Sequence, residues 1–163
     1  MKHTISVLVE NEFGVLARVA GLFSGRGFNI DSLSVAETQD STASLITLVT
    51  RGDDQIIEQI IKQLHKLVNV LKVTDLQEGE FLDRELLLVK VNATEQNKAE
   101  ILRLVDIFRG KVVDVSPRSY TVEMTGNEGK IRAVLELLQP LGVKEIVRTG
   151  KVAMPRGRQN VTA

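Results

Sequence analysis

The sequence predicts an α+β protein of two tandem ferredoxin-like βαββαβ units. Three observations carry this: apolar residues alternate in short runs, they recur at helical spacing in longer runs between them, and the order of runs in residues 1–77 comes again after a polar connector.

Ile5, Val7 and Val9 alternate with more polar neighbours, the period-two mark of a strand with one buried face. A helix follows from about Val15, with Leu16, Val19, Leu22 and Phe23 at helical spacing until Gly25 and Gly27 stop it. In the next strand Phe28 and Ile30 hold one phase while Leu33 and Val35 hold the other, which predicts a bulge near Asp31-Ser32. Ala43 to Arg51 reads as a third strand. Asp53 or Asp54 then caps a helix whose apolar face is Ile56, Ile57, Ile60, Ile61, Leu64, Leu67 and Val68, and Val70 to Leu76 closes the unit.

The connector, Gln77 to Arg84, is polar and carries Gly79. Beyond it Leu86 to Val91 is a strand, Thr94 caps a helix whose inner face is Ile101, Leu102, Val105 and Phe108, and Gly110 ends it. Lys111 to Val115 is extended, Pro117 marks a turn, and Tyr120, Val122 and Met124 alternate. Asn127 caps a helix carrying Ile131, Val134, Leu135 and Leu138, ended by Pro140 with Gly142, and Val143 to Val147 is the last strand. The expected domains are therefore 1–77 and 84–163, the second finishing in a mobile tail from Met154. Two helices cover one sheet face in each small unit, which argues for burial of the remaining apolar surface by a neighbour and so for an oligomer.

Composition narrows the function. Twenty-one basic residues balance 21 acidic ones and a single Tyr accompanies five Phe, a poor outfit for binding nucleic acid. Cysteine is absent, which removes disulfides, thiolate metal sites and cysteine nucleophiles. No apolar run is long enough to span a bilayer, and the chain is expected to be cytoplasmic.

Catalytic groups at matched spacing are missing as well. His3 and His65 are the only histidines and both are read as surface residues. The acidic residues are dispersed without metal-ligand spacing. Gly126-Asn127-Glu128-Gly129-Lys130 lacks the length and order of a P-loop and reads as a turn with a helix cap.

Asn11-Glu12-Phe13-Gly14-Val15-Leu16, the first strand-to-helix joint, is the most suggestive segment. A helix beginning there leaves its first N–H groups unpaired at the positive end of its dipole, where a small carboxylate can dock. Gly14 permits close approach, Asn11 offers an amide that both donates and accepts, and Phe13, Val15 and Leu16 are placed to line a side-chain pocket. By themselves Asn11 and Gly14 also suit a plain turn.

With Gly27-Phe28-Asn29-Ile30-Asp31-Ser32-Leu33 added, the first half resembles an ACT domain, the amino-acid-sensing module of biosynthetic enzymes. Ser6 to Glu12 with Gly14 to Val19, Gln63 to Leu67, Arg84-Glu85-Leu86, Ile107 to Gly110, Tyr120 to Glu123 and Arg148-Thr149-Gly150 are similar to the small regulatory subunit of acetolactate synthase (acetohydroxyacid synthase). The likeness covers nearly the whole chain. It implies a non-catalytic subunit that binds and activates a large catalytic subunit and confers feedback inhibition by branched-chain amino acids, chiefly valine. Thiamine diphosphate, magnesium and FAD would then belong to the large subunit. The effector would lie between the ACT domains of a homodimer, with Asn11, Gly14, Val15 and Leu16 from one copy and Asn29 and Ile30 from the other. Phe13 stands where proline is frequent in that family, which bears on pocket size. The alternatives are a freestanding amino-acid sensor or transcriptional co-regulator, and an enzyme in its own right.

Overall fold

The computed structural model describes residues 1–162. The chain divides into two compact units, one made of residues 1–82 with the chain from Lys151 onward, the other of Asp83–Gly150.

In the first unit the order is β1 (Lys2–Glu10), α1 (Val15–Gly25), β2 (Ile30–Glu37), β3 (Ala43–Arg51), α2 (Asp54–His65) and β4 (Val70–Asp75), then a 3-10 turn, Leu76–Glu78. The sheet runs β2-β3-β1-β4 with every pair antiparallel, the split arrangement expected. Ile5, Val7 and Val9 of β1 face Val15, Val19 and Phe23 of α1 and Ile57, Ile60 and Leu64 of α2 in one apolar core. The register of β2 on β3 slips between Ile30 and Ser32, which is the bulge that the exchanged phases of Ile30 and Leu33 require.

Helix ends follow from local chemistry. Gly27 takes φ 71°, its N–H donates to Ser24 O and that of Phe28 to Phe23 O, so α1 closes in a Schellman turn. The apolar contact of that motif is present, with the rings of Phe23 and Phe28 packed edge to face, centroids 6.2 Å apart. Asp53 caps α2 by accepting from Ile56 N–H at 2.9 Å. Since α2 stops at His65, Val68 falls past the helix and is 90% exposed, outside the core face assigned to it.

β5 (Phe81–Asn92) begins within the first unit and continues as a strand of the second, which also holds α3 (Lys98–Ile107), β6 (Lys111–Val115), β7 (Ser119–Gly126), α4 (Glu128–Gly142) and β8 (Val143–Arg148), with sheet order β6-β7-β5-β8. Leu87, Val89 and Val91 pack against Ile101, Val105, Ile131 and Leu138; Leu104 takes the inner position expected of Leu102, which is 48% exposed. Thr94 and Asn97 exchange side-chain to backbone hydrogen bonds ahead of α3, and Asn127 caps α4 by accepting from Lys130 N–H. At the end of α3 the left-handed position belongs to Arg109, φ 57°, rather than to Gly110. Glycine is needed at 110 for another reason, since a Cβ there would come within 2.6 Å of Met124 Cε and 2.9 Å of Glu123 O. Pro140 sits within the last turn of α4, and Gly142, φ 97°, closes it.

Three further expectations are corrected. The connector is shorter than Gln77 to Arg84, because β5 already begins at Phe81, which packs on Leu76. A further strand, β9 (Val152–Pro155), pairs with β5. The tail is therefore not a loose end of the second unit: Ala153 and Val161 are buried with Leu76, and Leu45 of β3 rests on that cluster. Leu45 is the register partner of Leu8, so this segment closes part of the sheet face opposite the helices, the surface whose exposure had argued for a neighbour. Ala163, the end of the expected mobile tail, lies outside the described residues.

His3 is the third correction. It shares the parity of Ile5 and Val7 on a central strand, is 7% exposed, and holds Nδ1 3.2 Å from Asp75 Oδ2. His65 is exposed as expected. Among the described residues no group of His, Asp and Glu could hold a metal ion, and no helix is long and apolar enough to cross a membrane.

Candidate functional site: the two ends of the first helix

The loop from β1 to α1 is built around Asn11. Its N–H donates to Thr42 O at 2.7 Å, and its Nδ2 donates to Ser41 O at 3.0 Å and Glu37 Oε1 at 3.1 Å. These bonds fix the carboxamide on the β2–β3 hairpin and leave Oδ1 without a donor among the described residues. Glu37 beside it supplies negative charge suited to an ammonium group.

Gly14 stands at the N-cap of α1 with φ 84°, a conformation that L side chains rarely adopt, and a Cβ added there would meet nothing within 4 Å. No side chain caps the helix. The first helical bond is Arg18 N–H to Gly14 O, so the N–H groups of Leu16 and Ala17 have no acceptor among the described residues. Paired with the positive end of the helix dipole, those open donors suit a carboxylate.

Side chains divide between the core and solvent. Val15 is 4% exposed and packs inward, so it offers a ligand its backbone and not its side chain. Leu16 is 43% exposed and Phe13 fully so. Close by, the Arg18 guanidinium donates to Asn69 Oδ1, whose Nδ2 reaches Glu10 and Glu12 carboxylate oxygens at 3.3 Å.

Asn29 and Ile30 begin β2 at the other end of α1. Asn29 is exposed and its Nδ2 donates to Asp31 Oδ1, while its carbonyl accepts from the Thr50 hydroxyl at 2.6 Å. Asp31 is in turn paired with Arg51 at 2.6 Å. Ile30 is half-buried against the core. Eleven helical residues separate the two groups, about 16 Å of axis, so one copy of the chain does not bring Asn11 and Asn29 together.

Two βαββαβ units in tandem, each an antiparallel sheet with both helices on one face, are the ferredoxin-like build of an ACT-type regulatory protein. Residues 5–72 match the model of the AHAS small subunit-like ACT domain, and residues 84–157 match that of the small subunit of acetolactate synthase. The acetolactate synthase small subunit of Aquifex aeolicus is 54% identical over 95% of this chain and 81% of its own length. A probable acetolactate synthase small subunit of Archaeoglobus fulgidus is 52% identical over 98% of this chain and 99% of its own. The crystal structure of the acetolactate synthase small subunit from Thermotoga maritima superposes with a TM-score of 0.86 at 45% identity, covering 98% of this chain and 99% of that one. The chain belongs to the acetolactate synthase small-subunit family: it is a regulatory subunit, and catalysis lies in the large subunit.

Proposed function

We propose that this chain senses valine or a related branched-chain amino acid at a site shared by two copies, and couples its occupancy to the activity of an acetolactate synthase large subunit that it also activates. The observation that carries this is the placement of Asn11 with Gly14 and of Asn29 with Ile30 at opposite ends of α1. Two copies set side by side would bring one start of α1 against the other copy's start of β2.

In that pocket the ligand carboxylate takes the free N–H groups of Leu16 and Ala17. The ammonium lies by Asn11 Oδ1 and Glu37, the partner copy's Asn29 supplies a second amide, and Leu16 with Ile30 receives the branched side chain. The thiamine diphosphate, magnesium and FAD of the reaction reside on the large subunit, and the assembly works in the cytoplasm. Inhibition requires valine to bind the less active arrangement more tightly, with a coupling of about 1 to 3 kcal/mol, or roughly 5- to 150-fold in affinity.

The test is an assay of the large subunit with this chain titrated in, with and without valine, beside calorimetry of valine on the chain alone. Activation that valine reverses, with heat of binding, supports the reading. Heat with no effect on the synthase favours a freestanding sensor, and neither response overturns it.

A further inference from the structure

We propose that Glu37 is the residue that makes this site demand an ammonium group, so that it admits an α-amino acid and turns away the 2-oxo acid bearing the same side chain. This deepens the reading above: it rests on a branched-chain ligand seated at Asn11 and assigns what that seat selects.

An asparagine amide can donate or accept, but the fold leaves a ligand only the acceptor of Asn11. Both N–H bonds of Nδ2 are spent, one on Ser41 O at 3.0 Å and one on Glu37 Oε1 at 3.1 Å. A carbonyl and a carboxylate cannot donate, so the nitrogen must face them and the amide cannot turn round. The backbone N–H of Asn11 is taken as well, by Thr42 O at 2.7 Å. What remains is Asn11 Oδ1 with Glu37 Oε2 beside it, neither bonded to a donor among the described residues.

Charge sharpens the selection. Glu37 is exposed, and of the carboxylates around the loop it is the one bonded to Asn11. Asp40 is taken up by the N–H and hydroxyl of Thr42, while Glu10 and Glu12 accept from Asn69. An ammonium brings N–H donors and a positive charge to the two open oxygens. A 2-oxo group in its place brings only lone pairs against an amide oxygen and a carboxylate, and no hydrogen of Asn11 can turn toward it. Asn29 at the start of β2 likewise turns its Nδ2 to a carboxylate, that of Asp31. The N–H groups of Leu16 and Ala17 and the apolar contacts treat the two ligands alike, because carboxylate and side chain are the same in both. Discrimination therefore falls to Asn11 and Glu37, and the charge in it to Glu37.

A plainer role for Glu37 is to pin Asn11 on the β2–β3 hairpin. Glu37→Gln separates the two roles, since the glutamine carbonyl still accepts from Asn11 Nδ2 and only the charge is lost.

The test is calorimetry on the full chain with L-valine and with 3-methyl-2-oxobutanoate, its 2-oxo acid. The wild type should prefer valine at least about 100-fold. E37Q should bind valine about tenfold more weakly and the 2-oxo acid no more weakly, so that the preference shrinks. Its melting curve should match that of the wild type, which shows that the loss is not one of folding. Equal affinity of the wild type for the two ligands overturns the proposal, as does a preference in E37Q as large as that of the wild type. Failure of the wild type to bind any branched-chain amino acid would instead overturn the functional reading.

Discussion

The Ser32 hydroxyl accepts a hydrogen bond from the backbone N–H of Lys151 at 3.0 Å, joining positions 119 apart in sequence. Ser32 sits at the slipped register of β2, two residues beyond Ile30, and Lys151 is where the returning chain rejoins the first unit. The returning segment is thereby fastened to the strand that begins with Asn29 and Ile30.

Ser32→Ala leaves the N–H of Lys151, a residue only 9% exposed, without its acceptor. The expected cost is about 1 to 3 kcal/mol. A thermal melt should fall by on the order of 5 °C. Amide exchange across Val152–Pro155 should quicken, and Ser32→Thr should restore both. Equal exchange in Ser32→Ala and wild type would show that the bond does not hold the segment.

Gly14→Asp places a carboxylate at the open helix start. Asp tolerates positive φ better than most residues, and an anion there favours the helix dipole, so the fold should survive. Repulsion of the ligand's carboxylate should abolish the valine response while leaving activation of the large subunit intact. A variant as valine-sensitive as wild type counts against the assigned pocket.

Asp40 governs an acid-sensitive turn. The hydroxyl and then the N–H of Thr42 donate to its carboxylate, holding it below the ordinary value of 3.8. A lowered carboxyl contributes stability that is present above its unfolded value and lost as pH falls through the folded one. The turn carries Ser41 O and Thr42 O, both of which hold Asn11. Thr42 and Asn11 amide signals should therefore stay constant down to about pH 4 and move together below it. Movement of Asn11 alone would separate the two.

Arg109→Gly should stabilise the second unit. A left-handed backbone costs an L residue about 1 to 2 kcal/mol, partly offset by the entropy that glycine loses on folding, for a net gain of up to about 1 kcal/mol. Urea unfolding followed in the second unit should shift to higher midpoint. A lower midpoint would reveal a contribution of the Arg109 side chain.

Most of the architecture was readable because parity and helical spacing report which face is buried. The phase change from Ile30 to Leu33 even located the bulge. The parity of His3 with Ile5 already places it on a buried face, whereas its partner Asp75 of β4, 72 residues away, leaves no mark in the local pattern. Val152–Pro155 escaped notice for a similar reason: four residues carry little periodicity, and they are ordered by β5 and the Leu76 cluster. At the candidate site, family likeness and the open helix start singled out Asn11, Gly14 and Asn29. Val15 turns inward because it stands four residues before Val19 and eight before Phe23 on one face of α1, a spacing the sequence shows, and this overrides its expected place in the side-chain pocket.

The first unit is discontinuous along the chain, for Val161 completes the cluster that begins at Leu76. During synthesis on the ribosome, β1 to β4 must wait for the entire second unit to emerge before Leu45 and Leu76 receive their final cover. Gene fragments cut near residue 80 therefore make a half with a bared apolar strip, and their tendency to aggregate would reflect the missing segment rather than any weakness of the β1–β4 sheet.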